Sequence, residues 1–305
     1  MATVVFAGFG DLGSAAGQLL AEAGLRVLAL KRTEPTARLP GIDYHAVDLR
    51  APFILPPALR AQADAVVIVV SPKRHAREGD AREGSREDYA ATYIGAVEHT
   101  LRAVHEAGGR PKLVLFISST SVWSESADLW LTEDVPARPD SWNGEILLRA
   151  EEKLFSSSLL TTGTAATVLR LAGIYGPGRH MLVRKAEAII AGKDAWPAPA
   201  WTNRIHRDDA ARLIAFLVNR ALAGITLDRV YTGVDNEPSL NIDVLAFIAA
   251  RLQGRESEID FAEKAPLANV SVGGKRVGNA RIRALGFQFG YPDFRSGYTA
   301  VLAQR

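Results

Sequence analysis

The 305-residue chain is long enough for one large α/β domain, or for such a domain with a small second lobe. Its 36 basic and 34 acidic residues nearly balance, so bulk electrostatic binding to nucleic acid or to a membrane surface is not expected. The chain has no cysteine, which excludes disulfides and thiolate nucleophiles, and it shows neither a signal peptide nor an apolar run of membrane-spanning length, so we expect a cytoplasmic protein.

Short β-branched runs alternate with helical patterns through the first third of the chain. Thr3–Ala7 is predicted as a strand, Leu12–Ala23 as an amphipathic helix and Arg26–Leu30 as the next strand. Further strands are predicted at 45–47, 65–70 and 112–117. The stretch Val66–Val70 is apolar at every position, as in a parallel strand that helices cover on both faces. The pattern predicts an α/β fold built on a doubly wound parallel sheet of the Rossmann kind.

The rest of the chain continues this mixture of helices and strands. Helices are predicted at 88–107, 142–156, 207–219 and 239–251, and strands at 167–171 and 230–232. Between Ser71 and Asp88 the chain is polar and basic, with Lys73, Arg74, His75, Arg77, Arg82 and Arg86. Because this segment follows a predicted strand, it is placed above the carboxyl edge of the sheet, where ligands bind. It is either a solvated loop or a lid over an anionic ligand.

A G-x-G-x-x-G motif, Gly8–Gly13, joins the first predicted strand to the first predicted helix. Gly8 permits the tight turn, Gly10 lets a pyrophosphate approach the backbone, and Gly13 lets helix and strand pack closely. The helix start then offers N–H groups and the positive end of its dipole to the phosphates. We therefore predict that a dinucleotide is bound by Gly8, Gly10, Asp11, Leu12 and Gly13. The alternative is a glycine-rich turn that binds nothing.

Two basic residues, Lys31 and Arg32, follow the second strand, where an NAD-binding chain usually has an acid for the ribose hydroxyls. Their charges attract the 2′-phosphate that an acid would repel, so NADP is favoured over NAD. Alternatively, both are solvated strand-end charges and Glu34 holds the ribose. Three further cofactor contacts are predicted at the ends of the next strands, namely Asp48, Leu49 and Ser71.

Five segments, in order along the chain, resemble motifs of the extended short-chain dehydrogenases/reductases, the NAD(P)-dependent epimerase/dehydratase-like family. Ile117–Trp123 resembles "SSxxVYG", and Val168–Arg179 is similar to "vlRlxnvYGPGr". Asn203–Ala210 resembles "dfIHvdDla", and Val230–Pro238 resembles "yNvgdnep". Asn279–Phe287 is similar to "sKaxxeLGf". Five ordered matches are far more specific than the glycine motif by itself.

The resemblance implies two lobes and a small-molecule substrate. The NADP-binding Rossmann domain is expected to comprise residues 1–178 and 203–235. The smaller substrate lobe is expected to comprise residues 179–202 and 236–305. Members of the family include nucleotide-sugar epimerases, dehydratases and small-carbonyl reductases, and a homodimer is compatible with the resemblance.

The usual proton chemistry of the family, a Ser or Thr with a Y-x-x-x-K pair, is only partly present. Ser119 matches the hydroxyl that orients the substrate oxygen, although its neighbours, from Ser118 to Ser121, leave open which one points inward. Aligned on Gly144, Asn143 replaces the tyrosine and Leu147 replaces the lysine. Asn is neither an acid nor a base near neutral pH, and Leu cannot activate a neighbour. The site is therefore atypical.

Three explanations of the missing pair stay open. The proton comes from elsewhere, the candidates being Glu145, His180, His206, Tyr93 and the basic segment. Alternatively, hydride transfer proceeds with water and Ser119, because the cofactor supplies the hard step. Otherwise the chain binds NADP without turnover, as a regulatory or partner protein.

Other reaction classes are disfavoured by the motifs that the chain lacks. The six histidines never show metal-ligand spacing, so no metal site is predicted. Neither a phosphate-loop G-K-[ST] nor a G-x-S-x-G elbow occurs. We predict an NADP-dependent oxidoreductase or epimerase for a small hydroxyl or carbonyl compound, sugar-like compounds included, with Ser119 as the catalytic residue. The alternative is a non-catalytic NADP-binding protein.

Overall fold

The computed structural model describes residues 1–55, 63–72, 75–77, 80–82, 85–160, 163–255 and 272–305. These residues form two compact units. The first unit comprises Met1–Trp123, Ala137–Arg170 and Ala211–Tyr231. The second comprises Ser124–Pro136, Leu171–Ala210 and Thr232–Arg305. The segment from 124 to 136 thus groups with the second unit by its contacts, although the sequence analysis includes it in the first lobe. The predicted division of the chain into an NADP-binding domain and a substrate lobe stays a prediction.

Fifteen strands and nine α-helices occur in this described part of the chain. In chain order the strands are β1 (Thr3–Ala7), β2 (Arg26–Lys31), β3 (Ile42–Ala46), β4 (Ala65–Ile68), β5 (His75–Arg77), β6 (Asp80–Arg82), β7 (Leu113–Ser119), β8 (Ser126–Leu131), β9 (Ala165–Leu171), β10 (Gly173–Tyr175), β11 (Ala200–Thr202), β12 (Arg204–His206), β13 (Val230–Gly233), β14 (Ser239–Leu240) and β15 (Gly273–Val277). The helices are α1 (Asp11–Glu22), α2 (Arg86–Ala90), α3 (Ala96–Glu106), α4 (Trp142–Phe155), α5 (Met181–Ile190), α6 (Arg207–Leu222), α7 (Asn241–Leu252), α8 (Ala280–Ala284) and α9 (Phe294–Ala303). A π-helical turn, Ala91–Gly95, links α2 to α3, and a 3-10 turn, Thr120–Val122, follows β7.

A central parallel sheet of seven described strands has the order β3-β2-β1-β4-β7-β9-β13. Every residue of β1 and β4 is buried, as expected for apolar strands with helices on both faces. From β1 the chain proceeds outward to β2 and β3, and it then returns to place β4 on the other side of β1. This reversal is the topological switch point of a doubly wound sheet, and it opens a crevice at the carboxyl ends of β1 and β4. The predicted α/β Rossmann-like fold is confirmed.

The amphipathic pattern of α1 explains how this helix covers the sheet. Leu12, Ala16 and Leu20 recur at helical spacing and are buried. Burial of one such leucine contributes about 1.5–3 kcal/mol. The helix ends before Gly24, whose φ of +83° is a left-handed conformation that glycine adopts at a helix C-terminus.

The second unit is built around a separate four-stranded sheet, with the order β14-β11-β15-β8 among the described strands, and a short β10-β12 pair. Helices α5, α7 and α9 enclose an apolar core that includes Tyr175, Val183, Phe247, Phe294 and Tyr298. The helix α9 lies beyond the last helix that the sequence analysis predicts, at 239–251. No helix in the described residues is both long and apolar enough to cross a membrane.

Candidate functional site

The turn between β1 and α1 has the shape that the glycine motif predicts. Gly8 has a φ of +97°, and a Cβ atom there would lie 2.2 Å from the Val69 carbonyl oxygen, so only glycine fits. A Cβ atom on Gly13 would lie 2.9 Å from the Gly8 carbonyl oxygen, which explains the close approach of helix and strand. Both glycines are therefore required by the packing of the turn itself.

Gly10 differs from these two glycines because nothing lies within 4 Å of a Cβ atom built on it. Its φ of −85° is open to any residue, and its carbonyl accepts the first helical bond from Ser14. A small residue is needed at this position only if something outside the turn approaches the backbone. Asp11 is exposed, whereas the Leu12 side chain is buried, so Leu12 can reach a ligand only through its backbone N–H. The first turn of α1 can thus offer N–H groups and its dipole to an anion.

The basic pair at the end of β2 lies beside this turn in the same sheet. Lys31 is half-buried and its carbonyl accepts a hydrogen bond from Val47, while Arg32 is exposed. Glu34, the alternative ribose ligand, forms an ion pair with Arg38 at 2.5 Å. The two basic residues directly follow Leu30, whose carbonyl accepts a hydrogen bond from the Gly8 amide of the turn, whereas the acid has a partner of its own.

Asp48 and Leu49, which were predicted as cofactor contacts, follow the end of β3. Both carboxylate oxygens of Asp48 accept hydrogen bonds from Arg50, and these bonds lower the pKa of Asp48 to about 2, with a smaller contribution from the charge of Arg32. The Leu49 side chain is buried, and its carbonyl lies 3.1 Å from a ring nitrogen of His99. An adenine would therefore meet a carboxylate already engaged by Arg50, and a buried apolar residue.

The predicted contact Ser71 lies just past β4 and is exposed. Its hydroxyl donates a hydrogen bond to the Pro72 carbonyl at 3.4 Å, and its side chain also interacts with the hydroxyl of Tyr93 on the π-helical turn, which lowers the pKa of that phenol. Of the basic segment, Lys73 and Arg74 lie outside the described residues. The strands β5 and β6 pair antiparallel within that segment, which the sequence analysis does not predict. Whether the segment acts as a lid stays a prediction.

The structure separates the roles of the two serines at the end of β7. Ser118 is buried and donates a hydrogen bond to Glu151 at 2.6 Å. Glu151 also accepts two hydrogen bonds from Arg170, whose guanidinium lies 4.5 Å from the centre of the Trp123 ring. Ser118 thus belongs to a buried structural network. Ser119 is half-buried, and its hydroxyl oxygen accepts a hydrogen bond from the Ser121 amide at 3.2 Å.

The start of α4 is where the family motif places its tyrosine and lysine. A Cβ atom on Gly144 would lie 2.2 Å from the Ser121 carbonyl oxygen, so this glycine brings α4 against the 3-10 turn. The Asn143 side chain accepts a hydrogen bond from the Gly144 amide. Leu147 is 4% exposed and packs in the core. Neither replacement supplies a titratable group.

The other proton-donor candidates differ sharply in their surroundings. Glu145 forms an exposed ion pair with Arg86. His206 is 2% exposed, burial lowers its pKa, and its ring centre lies 3.7 Å from that of Tyr291, as in a structural residue. His180 precedes α5 in the second unit, and one ring nitrogen has no hydrogen-bond partner in the described residues. Tyr93 is half-buried, and burial raises the pKa of its phenol.

An aromatic cluster beside α4 is not anticipated by the sequence analysis. The ring centre of Tyr89 lies 5.4 Å from that of Tyr93 and 5.0 Å from that of Trp142, and Tyr93 also contacts Phe116 of β7. The spacing of the two tyrosines, four residues apart on a predicted helix, is a signal that could have indicated the pair. The contacts with Trp142 and Phe116 join segments distant in sequence.

Comparisons with known proteins agree with this architecture. Residues 4–229 match the model of the NAD dependent epimerase/dehydratase family. Protein YeeZ of Escherichia coli K12 is 28% identical over 300 residues, which cover 96% of this chain and 97% of YeeZ. A candidate NAD-dependent epimerase/dehydratase from Methylobacillus flagellatus is 31% identical, covers 99% of this chain and 98% of its own, and superposes with a TM-score of 0.74. The human epimerase family protein SDR39U1, solved with NADPH, shares the fold at 18% identity and a TM-score of 0.73, with both chains covered completely.

Proposed function

Because the chain belongs to the NAD-dependent epimerase/dehydratase family, we propose that it is an NADP-dependent oxidoreductase or epimerase acting on a small hydroxyl or carbonyl compound, including sugar-like ones. The observation that carries the proposal is the turn from β1 to α1. Its backbone needs glycine at Gly8 and Gly13 for its own packing, whereas Gly10 faces open space. A pyrophosphate approaching the backbone accounts for that third glycine.

The preference for NADP rests on the end of β2. Lys31 and Arg32 carry positive charge there, and Glu34, the nearby acid, is neutralised by Arg38. A 2′-phosphate placed beside this strand end would receive charge-assisted hydrogen bonds, which are stronger than those between neutral groups. The ribose hydroxyls of NAD are uncharged and would form much weaker interactions with these two cations.

The bound cofactor would supply or accept hydride, and the chain would hold the substrate oxygen. Ser119 accepts a hydrogen bond from the Ser121 amide, so the serine oxygen is oriented while its proton remains for donation. A substrate carbonyl at the carboxyl end of β7 would take that proton as a hydrogen bond. Ser118 has no such role, because its hydroxyl is committed to Glu151.

The first prediction concerns cofactor choice and uses Arg32→Ala. We expect NADPH to quench tryptophan fluorescence with a Kd that this substitution raises about tenfold or more, because a charge-assisted hydrogen bond contributes about 1.5–3 kcal/mol. The Kd of NADH should hardly change. The control is Arg26→Ala at the opposite end of β2, where Arg26 pairs with Asp43. Tighter binding of NADH than of NADPH by the unmodified protein would contradict the preference.

Catalysis is tested separately from binding. NADPH carrying deuterium on the nicotinamide would be incubated with a panel of aldehydes, ketones and ketosugars, and deuterium in the alcohol product would be detected by mass spectrometry. Transfer to a panel member supports the enzyme. Tight NADPH binding without transfer to any member would instead favour the non-catalytic alternative.

That alternative, an NADP-binding regulatory or partner protein, is favoured by the start of α4. Leu147 is buried in the core and Asn143 is tied to the neighbouring amide, so this helix does not offer the usual proton-transfer pair. A protein partner whose affinity depends on NADP would support this function. A partner that binds equally with and without NADP would count against it.

A further inference from the structure

The tyrosine hydroxyls of the first unit have different partners. The Tyr44 hydroxyl accepts a hydrogen bond from the Leu39 amide at 3.3 Å, and the Tyr231 hydroxyl accepts one from the Asp228 amide at 3.0 Å. Both oxygens are therefore held by backbone. The Tyr93 hydroxyl instead interacts with the side chain of Ser71, just past the carboxyl end of β4, and this interaction partly offsets the rise in the pKa of the phenol that burial causes.

The strand register brings Ser71 to the same end of the sheet as Ser119. In the parallel pair of β4 and β7, Ile68 is the last residue of β4 and is opposite Phe116. Ser71 follows three residues past the end of β4, and Ser119, three residues after Phe116, is the last residue of β7. Neighbouring parallel strands lie about 4.8 Å apart, so both serines reach the same edge of the sheet. The ring of Tyr93 contacts the ring of Phe116 edge-on, with 6.5 Å between centres. Tyr93 thus contacts β7 through its ring and interacts with Ser71 through its hydroxyl.

The helix that carries Tyr93 is irregular at this point. Residues Ala91–Gly95 form a π-helical turn, a rare geometry that is frequent at functional sites. Just before the turn, Tyr89 of α2 packs against Trp142 at the start of α4, with 5.0 Å between their ring centres. Trp142 directly precedes Asn143, so the aromatic cluster joins Tyr93 to the position where the family motif has its tyrosine.

We propose that Tyr93 is a catalytic residue that supplies the proton in place of the missing tyrosine, at a site shared with Ser71 and Ser119. This inference rests on the proposed function. In the reduction, the carbonyl carbon receives hydride, the C=O π pair moves to oxygen, and that oxygen takes the proton of the Tyr93 hydroxyl while NADPH is oxidised to NADP⁺. The Tyr93 phenolate then recovers a proton from water through the hydroxyl of Ser71.

The charges around Tyr93 agree with a proton donor. Burial raises the pKa of its phenol, and the neighbouring hydroxyl of Tyr89 adds to the increase. On the adjacent α4, Glu145 and Lys153 are held in ion pairs with Arg86 and Glu98. Tyr93 therefore stays protonated at neutral pH, so reduction should not depend on pH between about 6 and 9, whereas alcohol oxidation should keep rising with pH.

The test begins with a measurement that needs no turnover. Protein labelled with ¹³C at the tyrosine ζ carbon would be titrated with NADPH and followed by NMR, with the Tyr93 signal assigned by its loss in Tyr93→Phe. We expect this signal to shift while those of Tyr44 and Tyr231 stay in place. NADPH binding, seen by fluorescence, with an unmoved Tyr93 signal would overturn the inference and leave the proposed function intact.

The second measurement uses a carbonyl compound that the deuterium-transfer panel identifies. Tyr93→Phe should lower the reduction rate about 10²- to 10⁴-fold, the usual contribution of a general acid, with the Kd of NADPH changed less than about twofold. The control Tyr89→Phe keeps its ring in the aromatic cluster and should retain the rate. Equal rates for Tyr93→Phe and the unmodified protein would overturn the inference. Failure to bind NADPH, or to reduce any panel compound, would refute the proposed enzyme and this inference together.

Discussion

Gly8 and Gly10 are two residues apart in the same turn, but glycine is needed at the two positions for different reasons. The first adopts a left-handed φ and lies against the backbone of Val69, so the fold requires it. The second has ordinary backbone angles and open space around it. Their substitution should therefore separate folding from binding.

The prediction is that Gly8→Ala lowers the free energy of unfolding by about 3 kcal/mol or prevents folding, because it combines a strained φ with a backbone clash. Gly10→Ala should change it by less than about 1 kcal/mol, yet weaken NADPH binding at least about tenfold. Urea denaturation and fluorescence titration would measure the two effects. Unchanged NADPH affinity in Gly10→Ala would remove the reason given for the third glycine.

At the scale of elements, a buried ion pair links α4 to the central sheet. Glu151 of α4 is 1% exposed and contacts both Arg170 of β9 and Ser118 of β7. Removing one member of such a pair leaves a buried charge without compensation. An exposed ion pair on the same helix, Glu145 with Arg86, gives a matched comparison.

We predict that Glu151→Gln lowers the free energy of unfolding by about 3 kcal/mol, whereas Glu145→Gln changes it by less than about 1 kcal/mol. Both substitutions preserve size and remove one negative charge, so burial is the main difference between them. Urea denaturation at one pH would compare them. Equal effects of the two variants would mean that the buried network contributes no more than a surface pair.

For the whole molecule, pH should affect stability through Asp235 in the second unit. This residue is 2% exposed, and one of its carboxylate oxygens has no hydrogen-bond partner in the described residues. Burial raises the pKa of Asp235 to about 8, and the opposing charge of Arg204 does not cancel that effect. Between pH 4 and 8, the folded protein therefore holds a proton that the unfolded chain releases.

Because the folded state binds the extra proton, the contribution of Asp235 to the free energy of unfolding is largest below pH 4 and falls as the pH rises to 8. We predict that Asp235→Asn removes this part of the decline, since an amide does not titrate. Urea denaturation at several pH values would compare the slopes. The same slope in both proteins would show that Asp235 ionises normally when folded.

Local patterns were enough to predict much of the architecture. Apolar runs indicated β1, β2 and β4, and helical spacing indicated α1 and α4 to within one or two residues. The 88–107 helix proved to be α2 and α3 joined by a π-helical turn, and α9 was missed. A helical pattern does not reveal an extra residue in one turn, and the mixed polarity of the tail resembles a loop until packing buries its aromatic rings.

The sequence by itself determined the doubly wound sheet and the glycine turn with basic residues after β2, and it predicted the loss of the Tyr–Lys pair, because each of these features depends on residues that are close together in the chain. Only the tertiary structure decided that Ser118 is structural, that Glu34 is paired, and that the ring of Tyr93 packs against Phe116. Ser118 and Glu151 are 33 residues apart in the chain. Such side chains come into contact only when packing brings their helix and strand together, and a local sequence pattern cannot predict this contact.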